Sequence, residues 1–340
     1  MKPAYVADLS GDSSVTTFFL VCEKETRLTR DGKPYLRLEL GDRTGTIEAK
    51  MWDRFEESAG TFERDDFVKV QGRVELYRGK PQLSLERVRR AEPGEIDPAD
   101  FFPHTEKDVE ALWSELREHI ASVGNPWLRK LLEAVADDPE IAAKWKRAPA
   151  AKSLHHAYLG GLLEHVVSLC GLCRAVAARY PKADADLLLT GAILHDIGKI
   201  DELGYERAIG YTDEGQLLGH IVMALDMLTK KMDAIEGFPR DLKTLVRHLI
   251  VSHHGRYEFG SPRLPAFREA VMLHYLDDLD SKMGAMAATF DSPEGEENWT
   301  ARNFALERRL LRVEHFLGED GAAAAAEPAP PETKKAAAKE

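Results

Sequence analysis

The run Leu187-Leu188-Leu189-Thr190-Gly191-Ala192-Ile193-Leu194-His195-Asp196-Ile197-Gly198-Lys199 limits what this chain can become more than any other stretch. It is apolar enough to be buried, yet it carries a histidine and an aspartate side by side. Burying that pair is costly unless something compensates the charge. A metal ion is the most economical compensation, since neutral imidazole and carboxylate are both good ligands. Adjacent helical residues point about 100° apart. The pair could therefore reach a metal site from neighbouring directions, with the carboxylate bridging. For His-Asp alone, a helix end with a packed histidine and solvated charges is the ordinary alternative. The rest of the chain decides between the two.

A length of 340 residues sets an expectation of two domains plus short extras. The hydrophobic share of 44% is enough for real cores. No apolar run is expected to span a membrane, and no signal-peptide pattern opens the chain. A cytoplasmic protein without a membrane partner is the expectation. Three cysteines make no disulfide framework and fit a reducing compartment. Cys170 and Cys173 form a CxxC inside a helical stretch and read as small buried residues. The formal net charge of −12 argues against a surface coated in basic patches. It leaves nucleic acid open as a partner, because a local basic groove or metal ions can meet the phosphates.

Residues 1–14 read as an N-terminal arm. From residue 15 the pattern turns to strands. The run at 15–21 is rich in β-branched and aromatic residues, and those at 35–40 and 46–52 alternate with period two, with turn signals between them. A short helix near 53–62 follows, then alternating runs at 67–77 and 81–88. Three strands, a helix and two strands suit a small closed barrel, in the order of an OB-fold, over residues 15–90. Such barrels hold single strands by stacking bases on aromatics along a basic groove. The candidates are Phe19, Tyr35, Trp52 and Tyr77, with Arg37, Lys50, Arg73, Arg78 and Lys80 nearby. Residues 91–104 read as a linker from their proline, glycine and acid content. The period then becomes helical. Val109, Leu112, Trp113, Leu116 and Ile120 mark one face, and Asn125-Pro126 opens another helix. Residues 105–317 read as all-helical without a strand. The Ala/Pro/Glu/Lys tail at 318–340 is expected to be disordered.

Nine of the twelve histidines fall between His155 and His274. His165 sits in an apolar helix and His220 follows Gly219. His253-His254 ends the run Leu249-Ile250-Val251-Ser252, and Asp277, Asp278 and Asp280 follow Leu273–Leu276. Each has an ordinary explanation alone. Five segments that each bring His or Asp into apolar surroundings are harder to explain separately, and bundle interiors are where such ligands assemble metal pairs.

The order His165, His195-Asp196, His220, His253-His254, Asp277 resembles the HD-domain metal-dependent phosphohydrolases. Two longer phrases are more specific: His155-His156-Ala157-Tyr158-Leu159-Gly160-Gly161-Leu162-Leu163-Glu164-His165, and His253-His254-Gly255-Arg256-Tyr257-Glu258-Phe259-Gly260-Ser261-Pro262. They resemble the YhaM-type 3′-5′ exoribonucleases of bacteria, which also carry an OB-fold ahead of the HD domain. The Gly-Tyr-Pro element of cyclic-dinucleotide HD phosphodiesterases is missing after the histidine pair.

The resemblance implies an OB-fold barrel followed by an all-α HD bundle that cleaves single-stranded RNA, with single-stranded DNA as a second candidate. It implies His165, His195, Asp196, His220, His253, His254 and Asp277 as metal ligands, with Asp196 bridging. It places the final aspartate at Asp277 rather than Asp278 or Asp280. Two metal ions per site are expected, Mn²⁺ first, with Fe²⁺ or Zn²⁺ as alternatives. Metals about 3.5–4 Å apart both activate water and clamp a phosphoryl displacement. Lys199, one turn beyond His195, is a candidate catalytic contact to a phosphate oxygen. His155, His156, Arg256 and Glu258 are candidates for handling the terminal nucleotide. A homo-oligomer would give a weakly binding barrel multivalency. The competing readings are an HD phosphohydrolase acting on small nucleotides, and a non-catalytic single-strand-binding factor.

Overall fold

The computed structural model describes residues 2–318, apart from 12, 30, 54, 78, 93, 153–157, 206–209, 292–294, 297 and 304–305. Arg78, His155, His156 and the stretch from 319 onward lie outside the described residues. Residues up to Asp280 form one compact unit and those from Ser281 a second.

Five strands close the expected barrel: β1 (Ser14–Leu28), β2 (Pro34–Asp42), β3 (Gly45–Met51), β4 (Phe67–Tyr77) and β5 (Lys80–Arg90). Their spatial order is β1-β2-β3-β5-β4, and β4 returns to pair with β1. All contacts are antiparallel except β3 with β5, which runs parallel through Glu48↔Gln82 and Lys50↔Ser84. Helix α1 (Phe55–Ala59) bridges β3 and β4. Lys24 Nζ donates to the carbonyls of Ala59 and Phe62 at 2.7 and 2.6 Å, tying this connection to β1.

The middle of β1 departs from simple alternation, because Thr17 through Val21 are buried without a break. Phe19 and Val21 belong to the barrel core, whereas Phe18 and Leu20 belong to the helical core. Period two puts successive side chains on opposite faces, and here both faces are covered. Phe19 is fully buried inside the barrel. It therefore cannot be a base-stacking platform, which corrects that expectation. The expected arm is also anchored. Lys2 is buried and pairs with Asp42, and Tyr5 Oη donates to Asp100 at 2.5 Å. In the expected linker, Phe101 and Phe102 are buried, with Phe67 of β4 against them at 4.6 and 6.2 Å between centroids.

The helical part begins with α2 (Val109–Ala121), α3 (Pro126–Ala136) and α4 (Pro139–Trp145). Asp108, Asn125 and Asp138 cap them by accepting from two backbone N–H groups each, as short polar side chains do at helix starts. There follow α5 (Gly161–Arg179), α6 (Ala185–Leu194), α7 (Lys199–Glu202), α8 (Asp213–Ala234), α9 (Arg240–Ser252) and α10 (Arg268–Asp291). Two-residue strands β6 (Leu203–Gly204) and β7 (Gly210–Tyr211) pair between α7 and α8. Another such pair, β8 (Gly295–Glu296) and β9 (Trp299–Thr300), lies in the second unit. These short pairs depart from the expected strand-free domain. They arise where the chain reverses.

Helix α5 is long and apolar enough to cross a membrane by length and composition alone, contrary to expectation. More than half of its most apolar 18-residue window is buried within the protein, and it carries His165 and the buried thiols Cys170 and Cys173. It reads as a core helix, and burial pushes the Cys173 thiol up to about 12.

Removing Phe18 opens a cavity where barrel and helices share one core. Phe18→Ala is expected to cost about 3–5 kcal/mol and to split urea unfolding into separate barrel and helical transitions. Tryptophan fluorescence and far-UV circular dichroism would follow them. An unmoved midpoint would show that the shared core contributes little.

Candidate metal centre

The His-Asp pair is not inside a helix. Helix α6 ends at Leu194, and His195 and Asp196 occupy the turn before α7. The chain reverses tightly here because Gly198 packs against α8. A Cβ on Gly198 would lie 2.1 Å from the His220 carbonyl oxygen. Helix α8 is itself broken at Gly219, whose φ of +73° and ψ of 156° suit glycine. The kink presents the His220 backbone N–H to Glu202 Oε1 at 2.9 Å. His253 and His254 follow the end of α9, and Asp277 projects from α10.

Five imidazoles are held the same way. His165 Nδ1 donates to Asp280 at 2.7 Å, His195 Nδ1 to the Ala192 carbonyl at 3.0 Å, and His253 Nδ1 to the Ile250 carbonyl at 2.7 Å. His254 Nδ1 donates to the Phe259 carbonyl at 2.7 Å, and His220 Nδ1 to Glu202 at 3.1 Å. When Nδ1 carries the proton, the Nε2 of a neutral imidazole is left as an acceptor. Bonds of this kind orient metal-binding histidines.

The acceptors converge in two groups. His165 Nε2 lies 3.3 Å from His195 Nε2 and 3.2 Å from Asp277 Oδ1, and His195 Nε2 lies 3.5 Å from that oxygen. The other group is His220, His253 and His254. Asp196 stands between them. Its Oδ2 is 3.2 Å from His195 Nε2, and its Oδ1 is 3.5 Å from both His220 Nε2 and His253 Nε2. Asp196 Oδ1, His220 Nε2 and His253 Nε2 are buried and make no hydrogen bond. Buried polar atoms without partners are costly, and acceptors facing acceptors repel. A cation between them removes both costs, so the donor set fits a divalent metal.

The electrostatics agree. Burial alone would raise the Asp196 carboxyl, but Lys199 and the imidazoles hold it well below the usual range. Burial opposes charge on His195, yet Asp196 and Asp277 bring its pKa up to about 10, a measure of how negative the pocket is. Burial and the adjacent His253 push His254 down to about 4, leaving a neutral imidazole at ordinary pH.

Lys199 Nζ donates to Asp196 Oδ2 at 2.6 Å. That contact, rather than a free ammonium reaching outward, is what its position provides. Arg256 and Glu258 are exposed on the turn after His254. Asp277 joins the acceptor cluster, whereas Asp280 stands behind His165 and also accepts from Ser168 Oγ at 2.6 Å. Sequence reading missed Asp280, Ser168 and Glu202 as supports. The signal for Glu202 was an acid close behind a buried His-Asp pair.

On the barrel, Tyr35 and Trp52 stack on each other at 4.6 Å. Lys50 lies 5.8 Å from the Trp52 ring and 5.4 Å from the Tyr77 ring. Trp52 and Tyr77 are 46% and 56% exposed, so this corner offers aromatic faces to a ligand. Arg73 is exposed on β4. Arg37 is ion-paired to Glu23, Glu25 and Glu48, so its charge is already spent within the sheet, contrary to its expected role.

A barrel of this topology ahead of a helical domain with this cluster of His and Asp acceptors defines an HD-type metal-dependent phosphohydrolase joined to a nucleic-acid-binding module. Residues 21–91 match the OB-fold nucleic acid binding domain family, and residues 162–282 match the HD domain family. The chain is 37% identical over 296 residues to the 3′-5′ exoribonuclease YhaM of Bacillus velezensis, covering 87% of this chain and 93% of that protein. It is 36% identical to the Bacillus subtilis protein of the same name, with the same coverage. Among solved structures, the second OB-fold domain of replication protein A from Methanococcus maripaludis matches 27% of this chain and 98% of its own, at 20% identity and a TM-score of 0.23. The chain belongs to the YhaM 3′-5′ exoribonuclease family.

Asp280→Ala frees the His165 ring while leaving the seven acceptor residues in place. Calorimetric titration with Mn²⁺ is expected to show affinity reduced about 10–100-fold. Unchanged affinity would remove Asp280 from this supporting role.

Proposed function

We propose that this protein is a divalent-metal-dependent 3′-5′ exoribonuclease that removes nucleoside monophosphates from single-stranded RNA, with single-stranded DNA as a further candidate substrate. The carrying observation is the convergence of acceptor atoms from His165, His195, His220, His253, His254 and Asp277 around Asp196, where Asp196 Oδ1, His220 Nε2 and His253 Nε2 are buried and make no hydrogen bond. We assign these seven residues as ligands, Asp196 bridging. Imidazole with carboxylate suits Mn²⁺, Fe²⁺ or Zn²⁺ better than Mg²⁺ or Ca²⁺, and we propose Mn²⁺. When bound, such ions activate water and stabilise charge on the phosphoryl oxygens.

The chain's own residues do the rest. Lys199 keeps Asp196 ionised and fixed. Asp280, Glu202 and three backbone carbonyls lock the rings so that each Nε2 faces inward. The barrel corner formed by Tyr35, Trp52, Tyr77 and Lys50 takes a single strand by stacking, without sequence preference. Exonucleolytic polarity and RNA as substrate come from the relatives' names.

The test uses 5′-labelled single-stranded RNA with Mn²⁺, with chelator, and with Asp196→Ala. The expected result is a ladder shortening from the 3′ end, present only with metal and lost in the variant. Intact RNA across a panel of divalent ions, from folded and metal-loaded protein, would defeat the proposal and turn attention to small nucleotides or to binding alone.

The barrel's part is measured separately. Trp52→Ala and Tyr77→Ala are each expected to weaken single-strand binding by about 1–3 kcal/mol, read by fluorescence anisotropy with the metal chelated. Wild-type affinity in both variants would move the binding surface elsewhere.

A further inference from the structure

Between α9 and α10, residues 255–261 form a turn that leaves the second acceptor group directly. It is held by its own backbone. Phe259 N donates to the Arg256 carbonyl at 3.2 Å, Gly260 N to Tyr257 at 3.0 Å, and Ser261 N to Arg256 at 3.1 Å. The buried Ser261 hydroxyl lies 3.0 and 2.9 Å from the carbonyls of Val251 and Arg263. The Phe259 carbonyl accepts from His254 Nδ1 at 2.7 Å. The turn therefore sits one imidazole width from a proposed ligand atom, His254 Nε2.

This well-tied turn presents two large rings to solvent. Tyr257 is 59% exposed and Phe259 56%. The Arg256 guanidinium lies 5.6 Å from the Phe259 ring centroid. Aromatic side chains on a rigid loop, with a cation beside them, form a surface suited to a planar base on an anionic backbone. The bond from His254 to the Phe259 carbonyl places this loop at the edge of the second acceptor group.

We infer that Tyr257 and Phe259 are substrate-binding residues that stack on the bases at the 3′ end of the strand, holding the terminal phosphodiester over the metal centre. This rests on the exoribonuclease function proposed above and adds a base-contacting subsite to it. Stacking needs only a π-face, so the subsite tolerates any base.

The test uses the full-length, Mn²⁺-loaded protein and two RNAs, one ordinary and one with two abasic residues at its 3′ end. On ordinary RNA, Tyr257→Ala and Phe259→Ala are each expected to raise KM roughly five- to hundred-fold, with kcat little changed because the lost contact is ground-state binding. Tyr257→Phe should restore the wild-type KM. On the abasic RNA the wild type should already show the raised KM, and the alanine variants should raise it no further. Mn²⁺ titration checks that the variants keep the metal centre. An unmoved KM on ordinary RNA, or the same rise on both RNAs, overturns the inference. If the wild type degrades neither RNA, both this inference and the exoribonuclease proposal fall. Normal degradation with an unmoved KM removes only the stacking subsite.

Discussion

An ionised carboxylate buried among imidazoles is unfavourable unless its surroundings are built for it, and the helical domain is arranged to hold Asp196 in that state. Its Oδ2 meets Lys199 and His195, and its Oδ1 faces His220 and His253. The end of α6, the turn into α7, the break in α8 and the end of α9 all bring side chains to this one group. Gly198 lets α7 and α8 approach closely enough to do so. Around that centre runs a shell of acceptors for the Nδ1 protons, from Asp280, Glu202 and the backbone. Each turns a ring that could carry its proton on either nitrogen into one with a defined inward-facing lone pair.

The barrel answers to a different constraint. Closing five strands removes the sheet edges, but β1 is covered on its outer face too. Phe18 and Leu20 join the helical core there, and Phe67 meets Phe101 and Phe102. What remains for a ligand is the far corner, where Tyr35, Trp52, Tyr77 and Lys50 gather. Acidic neighbours neutralise Arg37, so aromatic faces rather than basic charge distinguish this surface.

Much of this was legible because it is local. Runs of β-branched, aromatic or alternating residues with turn signals marked the five strands. Asn125-Pro126 marked the start of α3 through cap chemistry that acts within three residues. The site positions were legible as polar residues in apolar runs, and a family resemblance supplied their roles. Other features depend on tertiary packing and left no local trace. The unbroken apolar run in β1 could not say that Phe19 faces the barrel core, because both faces of that strand are buried. Asp280 reaches His165 across 115 residues of sequence, and nothing near either one announces the pairing. Lys199 reads as a candidate phosphate contact until its ammonium is seen bonded to Asp196. Helix α5 gave no membrane signal in the sequence reading, yet its observed bounds make it long and apolar enough to span one, and its burial shows apolar sides that meet protein.

The hydrogen bonds that fix the five rings all run to protein atoms. The centre is thus assembled by the fold, unlike a small zinc domain whose folding is driven by its ion. Imidazole and carboxylate are donors that several first-row divalent ions share, so rings fixed in advance by the protein leave the order of preference among those ions to the metals' own intrinsic affinities.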